Sequence, residues 1–198
     1  KKFNLTPEAI ANRIKKLRKK PVYVIENGVE SIFKPLNKAK CRKKLRLPLN
    51  AKIIVYTGYI GKIRGFDVLL EAFEKIKKIY TNIYLLASGQ IAGDVDINNG
   101  NVIFHKFPKR EQIVEAINAS DVAVIPNPVN TFTEYCFPYK LVEYMACNVP
   151  IVATDVGDVS RLLKKYEGSL CKPNDADNLA EKIIAKLKPS KRLNYDKD

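Results

Sequence analysis

Short, almost wholly apolar runs rich in β-branched residues alternate along this chain with longer stretches whose apolar residues recur at helical spacing. Strands buried on both faces read as continuous hydrophobic runs, and a crossover helix brings each next strand in parallel. The alternation predicts an α/β domain, a doubly wound parallel sheet with helices on both faces. Strands are expected over 22–25, 53–57, 83–87, 102–105, 122–126, 151–154 and 169–171. Between them, Phe66, Leu69, Leu70, Phe73 and Ile76 fall on one helical face, and further helices are expected over 110–118 and 139–147. Thr6-Pro7-Glu8 starts a helix that runs to about Lys19, Asn27-Gly28 is a turn dipeptide, and Asp175 caps a last helix through about Lys188. The organisation is a helical or inter-domain segment over 1–21, the sheet domain over 22–188, and a polar, loose tail over 189–198.

Thirty-five Lys and Arg against 21 Asp and Glu give a net charge of +14. That balance attracts nucleic acid, anionic lipid or phosphorylated substrates. Its densest runs, 15–20 and 38–46, read as solvated faces of Lys-rich helices. They lack the interleaved aromatics of a single-strand binder, which makes nucleic acid the lesser reading, and an anionic membrane surface suits either. No apolar run is long enough to span a bilayer and no secretory pattern opens the chain, so a cytoplasmic location is expected. The chain begins at Lys1 without a methionine, as a piece of something longer would. Four irregularly spaced cysteines and one histidine suggest neither a zinc cluster nor a disulfide framework. Asn118-Ala119-Ser120 matches a glycosylation acceptor where a helix should meet a buried strand, and reads as chance.

Parallel sheets bind ligands at the carboxyl ends of their strands, and three places there could carry chemistry. The first is Thr57-Gly58-Tyr59-Ile60-Gly61-Lys62-Ile63-Arg64-Gly65, where glycines admit a close backbone, a helix follows, and Lys62 and Arg64 add charge. It fits neither the dinucleotide nor the P-loop fingerprint, and a tight turn with solvated cations would look alike. The second runs from Asn127 to Pro150 with Glu134, Phe137, Pro138, Lys140 and Glu143. A helix N-terminus near Pro138 suits phosphate, and Glu143 could accept from two ribose hydroxyls, unless it is a solvated surface residue. The third, Asp94-Val95-Asp96, has carboxylate spacing for a metal diphosphate but sits in a polar loop and reads as a turn. His105 reads as a half-buried residue ending a strand.

Four segments in order resemble the C-terminal domain of GT-B-fold glycosyltransferases, specifically the retaining family 4. They are Val24-Ile25-Glu26-Asn27-Gly28-Val29-Glu30; Tyr56-Thr57-Gly58 through Arg64-Gly65-Phe66-Asp67-Val68-Leu69-Leu70-Glu71-Ala72-Phe73; Ala119-Ser120-Asp121-Val122-Ala123-Val124-Ile125-Pro126; and Lys140-Leu141-Val142-Glu143-Tyr144-Met145-Ala146 with Val149-Pro150-Ile151-Val152-Ala153-Thr154. The resemblance implies a Rossmann-like half of a GT-B fold that holds a nucleoside-diphosphate sugar without metal or cofactor. It implies a hexosyl transfer with retention, as in polysaccharide or glycolipid synthesis, after an acceptor-binding domain earlier in the chain completes the site. Alone, this chain is then expected not to catalyse transfer. Gly58, Lys62 and Arg64 match the phosphate-binding loop, Pro138, Tyr139 and Lys140 the helix start that meets the diphosphate, and Glu143 the ribose-gripping glutamate. Three positions depart from the pattern. Tyr59 stands where the family has Arg, a contact that Lys62 could replace. The partner glutamate belongs eight residues before Glu143, where Tyr135 stands, leaving Glu134 one place off as the catalytic candidate. Asn148 replaces a Gly at the helix end, where Asn is the next-best left-handed cap. A catalytically inactive binding module of the same fold is the alternative reading.

Overall fold

The computed structural model describes residues 7–23, 28–98, 100–188 and 195. Elements follow in the order α1 (Pro7–Leu17), α2 (Lys38–Lys44), β1 (Lys52–Thr57), a 3-10 turn (Lys62–Arg64), α3 (Phe66–Lys77), β2 (Ile83–Ser88) and β3 (Val102–Phe104). After these come α4 (Arg110–Ala119), β4 (Val122–Ile125), α5 (Thr131–Tyr135), α6 (Tyr139–Ala146), β5 (Ile151–Thr154), α7 (Gly157–Leu163), β6 (Leu170–Cys171) and α8 (Ala176–Leu187). All pairings are parallel in the order β3-β2-β1-β4-β5-β6, so the topology reverses between β1 and β4. Loops leaving a sheet at such a reversal diverge to opposite faces and open a crevice at the carboxyl edge.

The period-2 alternation of strand side chains divides the core into two layers. Ile53 and Val55 of β1 join Ala123, Ile125, Ile151 and Ala153 under α4, α6 and α7. Ile54 and Tyr56 turn the other way with Leu85, Val122, Val124 and Val152, under α3 and α8. On α3 the expected face is buried at Phe66, Leu69, Phe73 and Ile76, with Ala72 between them. Each large side chain so buried is worth about 1.5–3 kcal/mol. Asp175 accepts from the Asn178 N–H at 2.8 Å and caps α8, and Asn148 ends α6 with φ 54°. Both match the sequence expectations.

Several expectations change. Thr6, Val24, Ile25 and Asn27, on which the first cap, strand and turn rested, lie outside the described residues, and Val22 and Tyr23 are in no regular element. No element is expected between the strand over 122–126 and the helix over 139–147, or between the strands over 151–154 and 169–171, yet α5 and α7 lie there; both are too short to carry a periodic signal. The basic run over 38–46 is not simply a solvated face. Arg42 is buried, its Nε donating to the Ala119 carbonyl (2.8 Å), Nη1 to those of Leu49 (2.7 Å) and Ala51 (2.9 Å), and Nη2 to Asp121 (2.8 Å). The tail is not wholly loose: the Tyr195 ring is buried edge-on against Tyr166, and its hydroxyl accepts from the Ile151 N–H at 2.9 Å. Asn118 is buried, donating to the Lys34 and Val114 carbonyls at 3.0 and 2.9 Å, which agrees with a chance glycosylation match.

Candidate functional site

The loops after β1 and β4 meet backbone to backbone. Gly65, at φ 71°, ends the 3-10 turn and opens α3, and a Cβ there would stand 1.9 Å from the Pro126 carbonyl oxygen. A side chain would push the two loops apart. Gly89, after β2, plays the same part toward the loop after β1, since a Cβ on it would lie 1.7 Å from the Gly58 oxygen. Asn130 caps α5 by accepting from the Thr133 N–H (2.9 Å) and donates to the Ile63 carbonyl (3.2 Å), which ties α5 to the 3-10 turn. The Phe132 ring then lies under the Arg64 guanidinium, 4.0 Å from ring centroid to Cζ. Among the described residues Arg64 meets no carboxylate.

Behind Arg64, Lys140 extends from the first turn of α6 across the face of Tyr56, with Nζ 4.1 Å from the ring centroid. Burial and the Arg64 charge push its pKa down to about 7, against an attraction from Glu143. One turn on, Glu143 is buried and accepts from Arg110 at 3.0 Å; Arg110 also pairs with Glu30. Burial raises the Glu143 pKa, while Arg110 opposes the rise. Tyr144 anchors the helix from the other side, its fully buried hydroxyl accepting from the Thr57 N–H at 2.9 Å. Cations and one carboxylate thus gather at the strand ends where the topology reverses.

Other candidates fall elsewhere. Lys62 is exposed, and its N–H donates to Asp94 at 3.2 Å. Tyr59 is exposed, with its carbonyl accepting from the Tyr56 hydroxyl at 2.5 Å. Pro138 precedes α6 as its cap residue. The Tyr139 N–H, expected to face a diphosphate, is instead taken by the Phe137 carbonyl at 3.1 Å, leaving the Lys140 N–H without a backbone acceptor among the described residues. Glu134 is exposed on α5 and meets no cation among the described residues. Asp96 accepts from the Asn98 N–H at 2.8 Å, a turn as expected, and no group of three His, Cys, Asp or Glu among the described residues could hold a metal. His105 is exposed rather than half-buried, stacked on Phe107 at 5.5 Å. No helix among the described residues is long and apolar enough to cross a membrane.

A sequence model described as Glycosyl transferases group 1 matches residues 37–196. The chain belongs to that family. A Bacillus subtilis glycosyltransferase named for teichuronic acid biosynthesis, TuaC, is 31% identical over 146 residues, covering 74% of this chain and 36% of that protein. D-inositol 3-phosphate glycosyltransferase of Mycolicibacterium smegmatis is 27% identical over 172 residues, covering 81% and 38%. The group 1 chain therefore spans little more than a third of these relatives. Among solved structures, the C-terminal domain of the group 1 protein LpcC from Francisella tularensis superposes with a TM-score of 0.70 at 21% identity, covering 85% of this chain and 92% of that one. Anabaena HepE, crystallised with UDP and glucose, superposes with 0.71 at 19% identity, covering 87% and 49%. The fold is that of a GT-B C-terminal domain.

Sequence reasoning missed three parts of this site. Arg110 read only as the start of a helix, because its partner Glu143 is 33 residues away. Tyr56 and Tyr144 were not singled out, because their hydroxyls meet their partners only in three dimensions. The Lys140 side chain was overlooked in favour of its backbone; a lysine two residues after Pro138 and one helical turn before Glu143 was the available signal.

Proposed function

We propose that this domain holds the donor of a glycosyltransferase, a nucleoside-diphosphate sugar, in the crevice beyond β1 and β4. The reading rests above all on one observation: Arg64, which meets no carboxylate among the described residues, and the buried Glu143 both lie within electrostatic reach of Lys140. Arg64 offers a planar fork to phosphate oxygens, the α6 start offers the Lys140 N–H, and Glu143 accepts from ribose hydroxyls. Negative charge that builds on the departing diphosphate meets cations already in place, which lowers the barrier to transfer. The donor sugar is a hexose, transfer retains configuration, and no metal or cofactor takes part. The acceptor, a growing polysaccharide or glycolipid, is held by a domain earlier in the full protein, and this chain alone does not complete the reaction. The surplus of positive charge suits a complex peripheral to an anionic membrane on the cytoplasmic side.

Calorimetric titration of UDP, GDP and ADP and their sugars into the full-length protein tests the reading, alongside Arg64→Ala and Glu143→Ala. Saturable binding of one nucleotide, weakened at least about tenfold by either substitution, is expected. Folded protein that binds none of them at millimolar concentration would overturn it.

A further inference from the structure

Lys140 is held between Tyr56 and Gly58. Its ammonium lies against the Tyr56 ring at 4.1 Å and so close to Gly58 that a Cβ there would stand 2.9 Å from Nζ. No carboxylate or carbonyl among the described residues accepts from it. Lys140 is half-buried, and a cation partly withdrawn from water needs a counter-ion; a π face replaces only part of the lost hydration. Each element around it supplies the wrong partner or an occupied one. From β1 comes Tyr56, whose phenol is kept neutral by burial and donates to the Tyr59 carbonyl. From the turn after β1 comes Arg64, a second cation. From α6 itself come Tyr144, joined to Thr57, and Glu143, whose Oε1 is held by Arg110 with Glu30 behind. The site therefore carries more positive charge than its carboxylates balance, in a place where an anion can reach Arg64.

We infer that the Lys140 side chain is the second cation of the diphosphate site, and that donor binding is coupled to uptake of a proton at its Nζ. This rests on the donor-site reading above. In the empty site Arg64 repels the ammonium, and near neutral pH the amine can shed its proton. A diphosphate beside Arg64 reverses the local field. Solvent then supplies one proton, the ammonium forms, and the proton returns to solvent when the diphosphate leaves. Lys62, exposed on the turn, plays no such part. Donor affinity falls as pH rises above the empty-site pKa of about 7, by up to about tenfold per pH unit.

The experiment is calorimetry on the full-length protein with UDP-glucose, GDP-mannose and ADP-glucose, whose diphosphate diesters have no proton to exchange near neutrality. Titrations at about pH 8 in two buffers of different ionisation enthalpy count protons taken up per donor bound. Uptake approaching one proton is expected, absent in Lys140→Met, which binds at least about tenfold more weakly at neutral pH. Lys140→Arg, which cannot shed its proton, is expected to bind with no uptake. Donor binding without uptake, or uptake that persists in Lys140→Met, overturns the inference and leaves the donor site standing. Failure of the wild-type protein to bind any of the three overturns the donor-site reading and this inference with it.

Discussion

Arg110, in the first turn of α4, reaches Glu143 on α6 with a guanidinium nitrogen 3.0 Å from Oε1. The pair opposes what burial does to the carboxylate, since desolvation lifts the Glu143 pKa and the Arg110 charge draws it back. In Arg110→Gln the pKa climbs further. A folded-state pKa above the unfolded one means the folded protein holds its proton longer, so stability declines as pH rises through that interval. Thermal midpoints of Arg110→Gln are expected to fall more steeply than wild type as pH rises above the ordinary carboxylate range, a difference that Glu143→Gln removes when combined with it. Parallel pH curves would mean that Arg110 does not hold the carboxylate.

Arg42 is a separate structural matter, remote from the crevice. Its guanidinium satisfies three carbonyls and Asp121, and Asp121 also accepts from the Ile53 N–H at 2.8 Å. Arg42→Met strands those acceptors and is expected to cost about 3–5 kcal/mol in urea unfolding. Lys38, which reaches the same Asp121 from a more exposed position, should cost under about 1 kcal/mol when changed to Met.

What the sequence could reveal followed from local repetition. The face of α3 is written in a spacing of 3.6 because that helix buries one side, and β1, β2, β4 and β5 are written as continuous apolar runs because both faces of the sheet are covered. Asn148 was legible for a different reason: few residues tolerate a positive φ at a helix end. Arg42 was not legible, because a buried guanidinium in a basic run looks like its solvated neighbours until Asp121, far along the chain, folds over it. The same limit hid Arg110 from Glu143. For α5, five residues hold no full helical repeat, and its order comes from the Asn130 cap and its bond to Ile63.

Gly65 gives the sharpest steric test of the crevice. Alanine there must adopt a left-handed backbone and place its methyl 1.9 Å from the Pro126 oxygen. The conformation alone costs about 1–2 kcal/mol, and the loops after β1 and β4 must also separate. Gly65→Ala is expected to lose about 3 kcal/mol or more in chemical unfolding and to bind nucleotide sugar more weakly. Gly93→Ala, with nothing within 4 Å of the new methyl, should stay within about 0.5 kcal/mol. Equal behaviour of the two variants would show that the loops do not need this contact.

Lys140 should make the empty domain less stable than it could be. Its folded-state pKa, about 7, lies below the ordinary lysine value, so holding the charge inside costs free energy that the unfolded chain does not bear. Below about pH 7 both states are charged and the whole cost is present. Between about pH 7 and 10.5 the folded protein has released the proton while the unfolded chain keeps it, and stability rises with pH. Methionine fills a similar volume without charge, and replacing a half-buried, poorly compensated charge by an apolar side chain removes that cost. Lys140→Met is therefore expected to melt higher than wild type at pH 7 and below, with the gap narrowing as pH approaches 10. Saturating nucleotide sugar should reverse the order, because it stabilises the wild-type protein by mass action and binds the variant poorly. A lower melting point for the ligand-free variant at pH 7 would mean that the ammonium has a stabilising partner in the folded protein.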